Sequence, residues 1–361
     1  MKIGLIARAD DSGLGTQTAE FFRHMHPHRT LVIDLSELAN KAEHCNKHLH
    51  LDRFPGAMVH RGPTPTPDVI EDFLDGLDLI FTAETWYTYD MVTRAHARGI
   101  KTVLQYNYEF LDQLANPSLP HPTLFAAPSL WNYHKVPFPN KRLLRVPIPT
   151  DRFTPNPNPP ETAKVFLHPV GRPAIHDRAG TIDLLKCLKY ITSEITMIIR
   201  CQRPGYVAKL IHDYRIRTPS NVTLILESSR VDNYWENYRD VDAVVLPRRY
   251  GGLCLPCNEA LGSHIPVIMT DIDPNNDFLP PEWLVPSLRI STFDARASID
   301  VYGVDALSDL AGKIDAFATG PRLYKIGRDA AALLADLFSW DSMKSEYEEC
   351  FRGLLYPLLE L

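Results

Sequence analysis

The chain has 361 residues and a mass of 40.9 kDa, room for two domains of ordinary size. Its 45% apolar and 23% charged residues are globular values that exclude a disordered chain. The net charge of −6, divided as 15 Lys+Arg against 16 Asp+Glu over residues 1–150 and 23 against 28 beyond, gives neither half the basic surplus of a nucleic-acid grip.

The opening MKIGLIARADD has too short an apolar stretch for a signal peptide and predicts a buried strand over Ile3–Ala7. No run approaches the ~18 apolar residues of a membrane span. Six scattered cysteines suit free thiols in a reducing compartment, so the expected location is cytoplasmic. Further strands are expected at Leu31–Leu35, Ala57–His60, Leu77–Thr82, Thr102–Gln105 and Leu124–Ala127. Helices are expected from near Thr16, from Pro67, and over Tyr89–Arg98, the last stopped by Gly99.

Residues 146–163, VPIPTDRFTPNPNPPETA, hold six prolines and no helical or strand period, which marks a domain boundary. Beyond it a second series predicts strands at Val165–Pro169, Thr196–Arg200, Val222–Leu226, Ala243–Pro247 and Val267–Thr270. Helices fall at Gly180–Ile191, Tyr206–Arg215 and Asn233–Tyr238, and one starts around Pro256. Strands alternating with helices imply an α/β chain of two Rossmann-like parallel-sheet halves. The expected division is 1–150, a linker over 151–163, 164–335, and a C-terminal segment over 336–361. In that segment Trp340, Met343, Tyr347, Phe351 and Leu354 recur at spacings of three and four, an amphipathic helix.

Three stretches carry residues suited to chemistry. After the first strand, DDSGLGTQT places Gly13 and Gly15 where a helix N-terminus would meet an anion. Thr18 breaks the dinucleotide fingerprint, and a plain glycine turn is the alternative. In HPVGRPAIHDRAG, Arg172 and Arg178 flank a turn at the end of a strand, where two guanidinium groups can neutralise a diphosphate or remain solvated surface charges. In DAVVLPRRYGGLCLPCNEALGSHIPVIMT, Gly251 and Gly252 give a loop whose backbone can approach a ligand. Glu259 is expected in the first turn of the next helix, accepting from ribose hydroxyls or complementing the dipole. Cys254-x-x-Cys257 lacks two further zinc ligands and is read as packing thiols, and Asp271-Ile272-Asp273 as a turn, so no metal site is expected.

The last of these stretches resembles the donor-site signature of glycosyltransferase family 4, written E-G-F-G-L-x-x-x-E-A-x-x-x-G-x-P-V. VGRPAIHDRAG is similar to the family's G-R-x-x-x-x-K-G element, VPIPTDRFTP to its interdomain I-P-N-G-V-D-x-x-x-F-x-P, and FSWDSM to its C-terminal F-S-W-E helix start. RYGGLCLPCNEAL also resembles glycosyltransferases encoded by bacteriophages, which would put the protein in the host bacterial cytoplasm. The resemblance implies a GT-B fold, two Rossmann-like domains facing across a cleft with the C-terminal helix crossing back to the first. It implies retaining transfer of a sugar from a nucleotide-diphosphate sugar, UDP- or GDP-linked, with no metal required. Arg172 and Arg178 would hold the diphosphate and stabilise charge on the leaving group, Arg178 standing where the family has lysine. Glu259 would bind the ribose. Gly252, Leu253 and Leu255 would line the sugar and phosphate loop, and Ser228, Ser229 and Arg230 would meet the base. Gly13 and Gly15 match the family's first glycine loop, which lies under the donor phosphate and acceptor, and count with the donor-binding residues. On the acceptor side it points to His60, Arg61 and Glu84, polar groups after two strands of the first domain, Glu84 counted with the catalytic residues; an ordinary strand-end histidine and a solvated loop acid are the alternatives for His60 and Glu84. Trp86, Tyr87, Tyr106 and Tyr108 are either an aromatic wall or core.

Where the family has the first glutamate of its pair, this chain has Gly251. Sugar recognition is then altered, a neighbour such as Tyr250 or Arg249 substitutes, or activity is lost. The alternatives are a GT-B sugar-nucleotide epimerase and a silent nucleotide-sugar-binding protein. The acceptor is open between a virion protein side chain, a hydroxymethylated pyrimidine in phage DNA, against which the charge balance argues, and a lipid-linked or cell-surface molecule. Monomer and homodimer are both compatible with the sequence.

Overall fold

The first strand, β1 (Ile3–Ala7), is buried along its whole length, as a strand covered on both faces by helices must be. In the computed structural model, which describes residues 1–38, 48–229, 231 and 233–356, it joins a seven-stranded sheet with β2 (Arg29–Asp34), β3 (Met58–Arg61), β4 (Leu79–Ala83), β5 (Lys101–Gln105), β6 (Leu124–Ala127) and β7 (Lys141–Leu143). The order is β3-β2-β1-β4-β5-β6-β7 and every pairing is parallel. The strand order reverses between β1 and β4, the kind of place where open parallel sheets bind ligands outside the C-terminal strand ends.

Helix α1 (Gly13–Met25) follows β1, with Ser12 as N-cap accepting from the Gly15 amide at 3.1 Å. A Cβ on Gly15 would sit 2.0 Å from the Asp10 carbonyl oxygen, so only glycine lets the helix start this close to the strand end. Pro67 opens α2 (Pro67–Leu74), and α3 (Tyr89–Ala97) ends just before Gly99 at φ 74°. The C-terminal helix, Trp340–Leu355, belongs to the same unit, which comprises Met1–Val146 and Trp340–Leu361. Its buried face, Trp340, Tyr347 and Phe351, packs on Phe21 and Phe81, and the Tyr347 hydroxyl donates to the Arg145 carbonyl at 2.9 Å.

The second unit, Pro147–Ser339, holds a six-stranded parallel sheet ordered β10-β9-β8-β11-β12-β13. Its strands are β8 (Val165–Gly171), β9 (Ile195–Cys201), β10 (Val222–Glu227), β11 (Ala243–Leu246), β12 (Val267–Thr270) and β13 (Leu284–Val285). The helices are α4 (Thr181–Cys187), α5 (Tyr206–Asp213), α6 (Leu255–Gly262), α7 (Leu307–Thr319) and α8 (Pro321–Leu337). Here the order reverses between β8 and β11. The proline-rich segment is docked on this unit: Ile148 and Phe153 crowd Gly262 so closely that a Cβ there would lie 2.5 Å from the Phe153 ring. Ala163 N–H donates to the Phe317 carbonyl at 3.0 Å.

The α/β expectation is met, with differences of detail. The helix expected over Gly180–Ile191 is α4 followed by a 3-10 turn at Leu188–Tyr190, and that expected over Asn233–Tyr238 is 3-10 (Tyr234–Tyr238). Strand β7, helices α7 and α8, and an antiparallel hairpin of β14 (Ser287–Asp294) and β15 (Ser298–Val304) are additions to the sequence reading. Asp271 to Pro274 form the turn after β12, as expected.

Candidate functional site

At the β8/β11 reversal two loops meet. The loop leaving β8 carries Arg172, exposed, and Arg178, half-buried with its guanidinium 6.0 Å from the centre of the Tyr250 ring. This loop turns through left-handed backbone at Gly171, His176, Asp177 and Gly180. Gly180 cannot be replaced: φ is 74° and a Cβ would lie 1.9 Å from the Pro247 carbonyl oxygen, so the glycine brings the β8 loop against the end of β11. Buried Asp177 accepts from the Thr181 and Ile182 amides at 3.1 and 2.8 Å and so occupies the N-terminal amides of α4. Burial pushes its carboxyl up, opposed by those amides and by Arg249.

The loop leaving β11 is held by Arg248, only 8% exposed. Its Nε donates to the Tyr250 carbonyl and its Nη1 to the Leu253 carbonyl, both at 2.9 Å, while Thr270 Oγ1 donates to its carbonyl. Gly251, at φ 111°, leaves the space into which this guanidinium fits: a Cβ there would be 2.4 Å from Nη2. A glutamate at 251 would therefore be strained by the backbone and would require the Arg248 guanidinium to move. The side chain in that space is Arg248, whereas Arg249 pairs with Asp183 at 2.8 Å and the Tyr250 hydroxyl donates to the Ile175 carbonyl at 2.8 Å. Phe293 of the hairpin covers the same loop, stacked on His176 with centroids 4.5 Å apart and edge-on to Tyr250 at 5.2 Å.

Gly252, Leu253 and Leu255 are half-buried in the loop and at the start of α6. Glu259 is the fifth residue of α6, not in its first turn, because the helix begins at Leu255; dipole complementation is the reading this removes. It accepts from the Tyr238 hydroxyl at 2.6 Å, and burial raises its carboxyl to about 7 despite that bond. Buried Cys257 is a protonated thiol, pushed up by burial and then by Cys254. Ser228 and Ser229 are exposed at the end of β10, the sheet edge, two strands from β8. Arg230 lies outside the described residues. Among the described residues no three His, Cys, Asp or Glu side chains gather as metal ligands.

At the β1/β4 reversal of the first unit the charges are different. Arg8 pairs with Asp10, itself 2% exposed and accepting from the Ser12 amide at 3.1 Å and from the Ser12 hydroxyl. Glu84 and Tyr87, in the loop after β4, both hold left-handed backbone, φ 64° and 62°, a strain that clusters at functional positions. Glu84 is exposed. Burial pushes the Tyr87 hydroxyl up, with Arg8 opposing. Gly13 is exposed and Gly15 buried at the start of α1. Trp86 is 3% exposed with its indole N–H unpartnered among the described residues, and Tyr106 and Tyr108 are core. His60 and Arg61 end β3, the edge strand, two strand spacings or about 10 Å from β1. The sheet thus puts them apart from Glu84. Sequence reasoning passed over Arg8, Asp10 and Arg248, since their roles depend on burial and on which neighbour carries a carboxylate.

No family model matches the sequence, and no curated protein matches it. Solved structures do. The lipopolysaccharide outer core galactosyltransferase WaaB in its apo form superposes with TM-score 0.65 at 13% identity, covering 98% of this chain and 99% of that one. HepE from Anabaena, in complex with UDP and glucose, gives 0.67 at 13% identity, covering 98% and 100%. A glycosyltransferase from Rickettsia africae gives 0.67 at 14%, covering 99% of both chains. Likeness at such identities speaks to architecture, and this chain has the α/β fold of the GT-B glycosyltransferases.

Proposed function

We propose that this protein is a retaining, metal-independent glycosyltransferase that uses a nucleotide-diphosphate sugar as donor. The observation that supports the reading is the β8/β11 reversal of the second unit, where the β8 loop with Arg172 and Arg178 and the glycine loop before α6 leave neighbouring strands, Arg178 lying 6.0 Å from the Tyr250 ring, on a fold shared with glycosyltransferases. A UDP-sugar is favoured because similarly folded HepE is seen with UDP and with UDP-glucose.

In this reading Arg172 and Arg178 bind the diphosphate. As the bond from the anomeric carbon to phosphate oxygen breaks, negative charge grows on the leaving group, and two preorganised guanidinium groups stabilise it more than they stabilise the ground state. The acceptor hydroxyl attacks on the face the diphosphate leaves, and its proton passes to that diphosphate. Glu259 accepts from the ribose hydroxyls, Gly252, Leu253 and Leu255 line the sugar and phosphate loop, and Ser228, Ser229 and Arg230 flank the base. Gly13 and Gly15 belong with the donor-binding residues and Glu84 with the catalytic ones, while His60, Arg61 and Trp86 serve the acceptor side. The acceptor is a hydroxyl on a protein or on a hydroxymethylated base, and the enzyme works in the cytoplasm without membrane insertion.

The test is turnover of UDP- and GDP-sugars with acceptor mixtures, read by mass spectrometry and by the anomeric coupling of the product. Sugar mass on a second molecule with the donor's configuration is expected. An epimerised or hydrolysed donor with no sugar on any acceptor would overturn transfer.

A further inference from the structure

Buried arginines are ordinarily matched by a carboxylate, because desolvating a lone guanidinium is costly. In the second unit Arg249 follows this rule, with Asp183 at 2.8 Å and Asp177 at 3.9 Å. Its neighbour Arg248 does not. Among the described residues no carboxylate lies within ion-pairing distance of Arg248, although only 8% of it is exposed. Two carbonyl oxygens, of Tyr250 and Leu253, satisfy Nε and one N–H of Nη1. Among the described residues they leave Nη2 without a hydrogen-bond partner and the charge without a carboxylate.

That Nη2 points to Gly251, the residue whose missing side chain gives it room. The loop it enters lies at the strand-order reversal, directly before α6, where ligands of open parallel sheets are bound. A cation held by its own loop in such a place, with no carboxylate beside it among the described residues, is suited to an anion of the ligand.

We infer that Arg248 is an anion receptor, and that its Nη2 takes an oxyanion of the molecule bound at this loop. The inference deepens the proposed donor site and rests on that reading for the identity of the ligand. The oxyanion has two sources, a phosphate of the donor's diphosphate or a carboxylate carried on the donor sugar. Arg172 and Arg178 already give two cations for a diphosphate, so Arg248 adds a third positive charge to the site and favours a donor with a third negative one.

The experiment measures thermal stabilisation and calorimetric binding of the full chain with inorganic pyrophosphate, UDP, UDP-glucose and UDP-glucuronate. The proteins are the wild type, Arg248→Gln, which removes the charge, and Arg248→Lys, which keeps it. Pyrophosphate should stabilise the wild type, Arg248→Gln should lose at least about tenfold in affinity, and Arg248→Lys should recover part of it even if less stable. A preference for UDP-glucuronate over UDP-glucose of about tenfold or more that vanishes in Arg248→Gln assigns the carboxylate source. Equal affinity for the two, with UDP itself weakened by Arg248→Gln, assigns the phosphate source. Should no nucleotide bind while pyrophosphate still depends on Arg248, the donor reading fails and the receptor stands. Arg248→Gln binding every probe as the wild type does, or a wild type blind to every anion, overturns it. If Arg248→Gln does not fold, the Arg248→Lys comparison decides: a full loss of anion response with the cation retained overturns it, and a retained response supports it.

Discussion

At the end of β1 the chain sets half-buried Arg8 against the buried Asp10 carboxylate; just past the end of β11 it buries Arg248 and, among the described residues, sets carbonyls and no carboxylate against it. Both loops leave a parallel sheet where its strand order reverses, so geometry alone makes both candidate binding places. Charge separates them. The first place is internally neutralised and faces exposed Glu84. The second holds Arg172, Arg178 and Arg248, with Asp183 paired to Arg249 and Glu259 raised towards neutrality. A polar alcohol suits the first and an anionic donor the second.

The largest expected effect breaks the pair in the first unit. Arg8→Gln takes the paired cation from buried Asp10, which keeps the Ser12 amide and hydroxyl among its partners, and should cost about 3–5 kcal/mol. Arg248→Gln strands no carboxylate and loses two hydrogen bonds to carbonyls, a cost of about 1–3 kcal/mol. Hydrogen exchange at β1 and β4 against β8 and β11 reads each loss in its own sheet. Equal losses in the two variants would remove the distinction drawn between the two arginines.

A somewhat smaller effect appears in the pH dependence of the second unit. Glu259, ordinarily 4.5, is raised to about 7 by burial, so its contribution to stability is complete below pH 4.5 and lost as pH rises through 7. His168, fully buried between the Val245 carbonyl and Thr181 Oγ1, is lowered by burial from 6.5 to about 4. Its contribution is complete above pH 6.5 and lost as pH falls through 4. Each step is roughly 3 kcal/mol. Urea unfolding between pH 4 and 8 should show Glu259→Gln flattening the alkaline side and His168→Gln the acid side, and unchanged profiles would contradict the burial of these groups.

Much of the fold was legible because parallel strands are apolar runs: β1, β6 and β12 lie where the sequence predicts them, residue for residue. The hairpin was not, since β14 exposes Leu288 and Ile290 and shows no alternation, although β15 does, with Ile299, Val301 and Gly303 inward. Helix α8 was hidden by exposed Ile326, Leu333 and Leu337, which blur its apolar stripe. In the site, spacing led to Arg172, Arg178 and the glycine loop. The absence of a glutamate at 251 was visible too, but its cause was not, because only the folded loop brings the Arg248 guanidinium into the volume a Cβ would need.

The most direct measurement is calorimetric titration of the full chain with UDP and GDP, comparing the wild type with an Arg172→Ala, Arg178→Ala double variant. Saturable binding of one nucleotide by the wild type, weakened about tenfold or more in the double variant, is the predicted result. Failure of both nucleotides to bind, or equal affinity in the two proteins, would contradict a diphosphate site at the β8/β11 reversal.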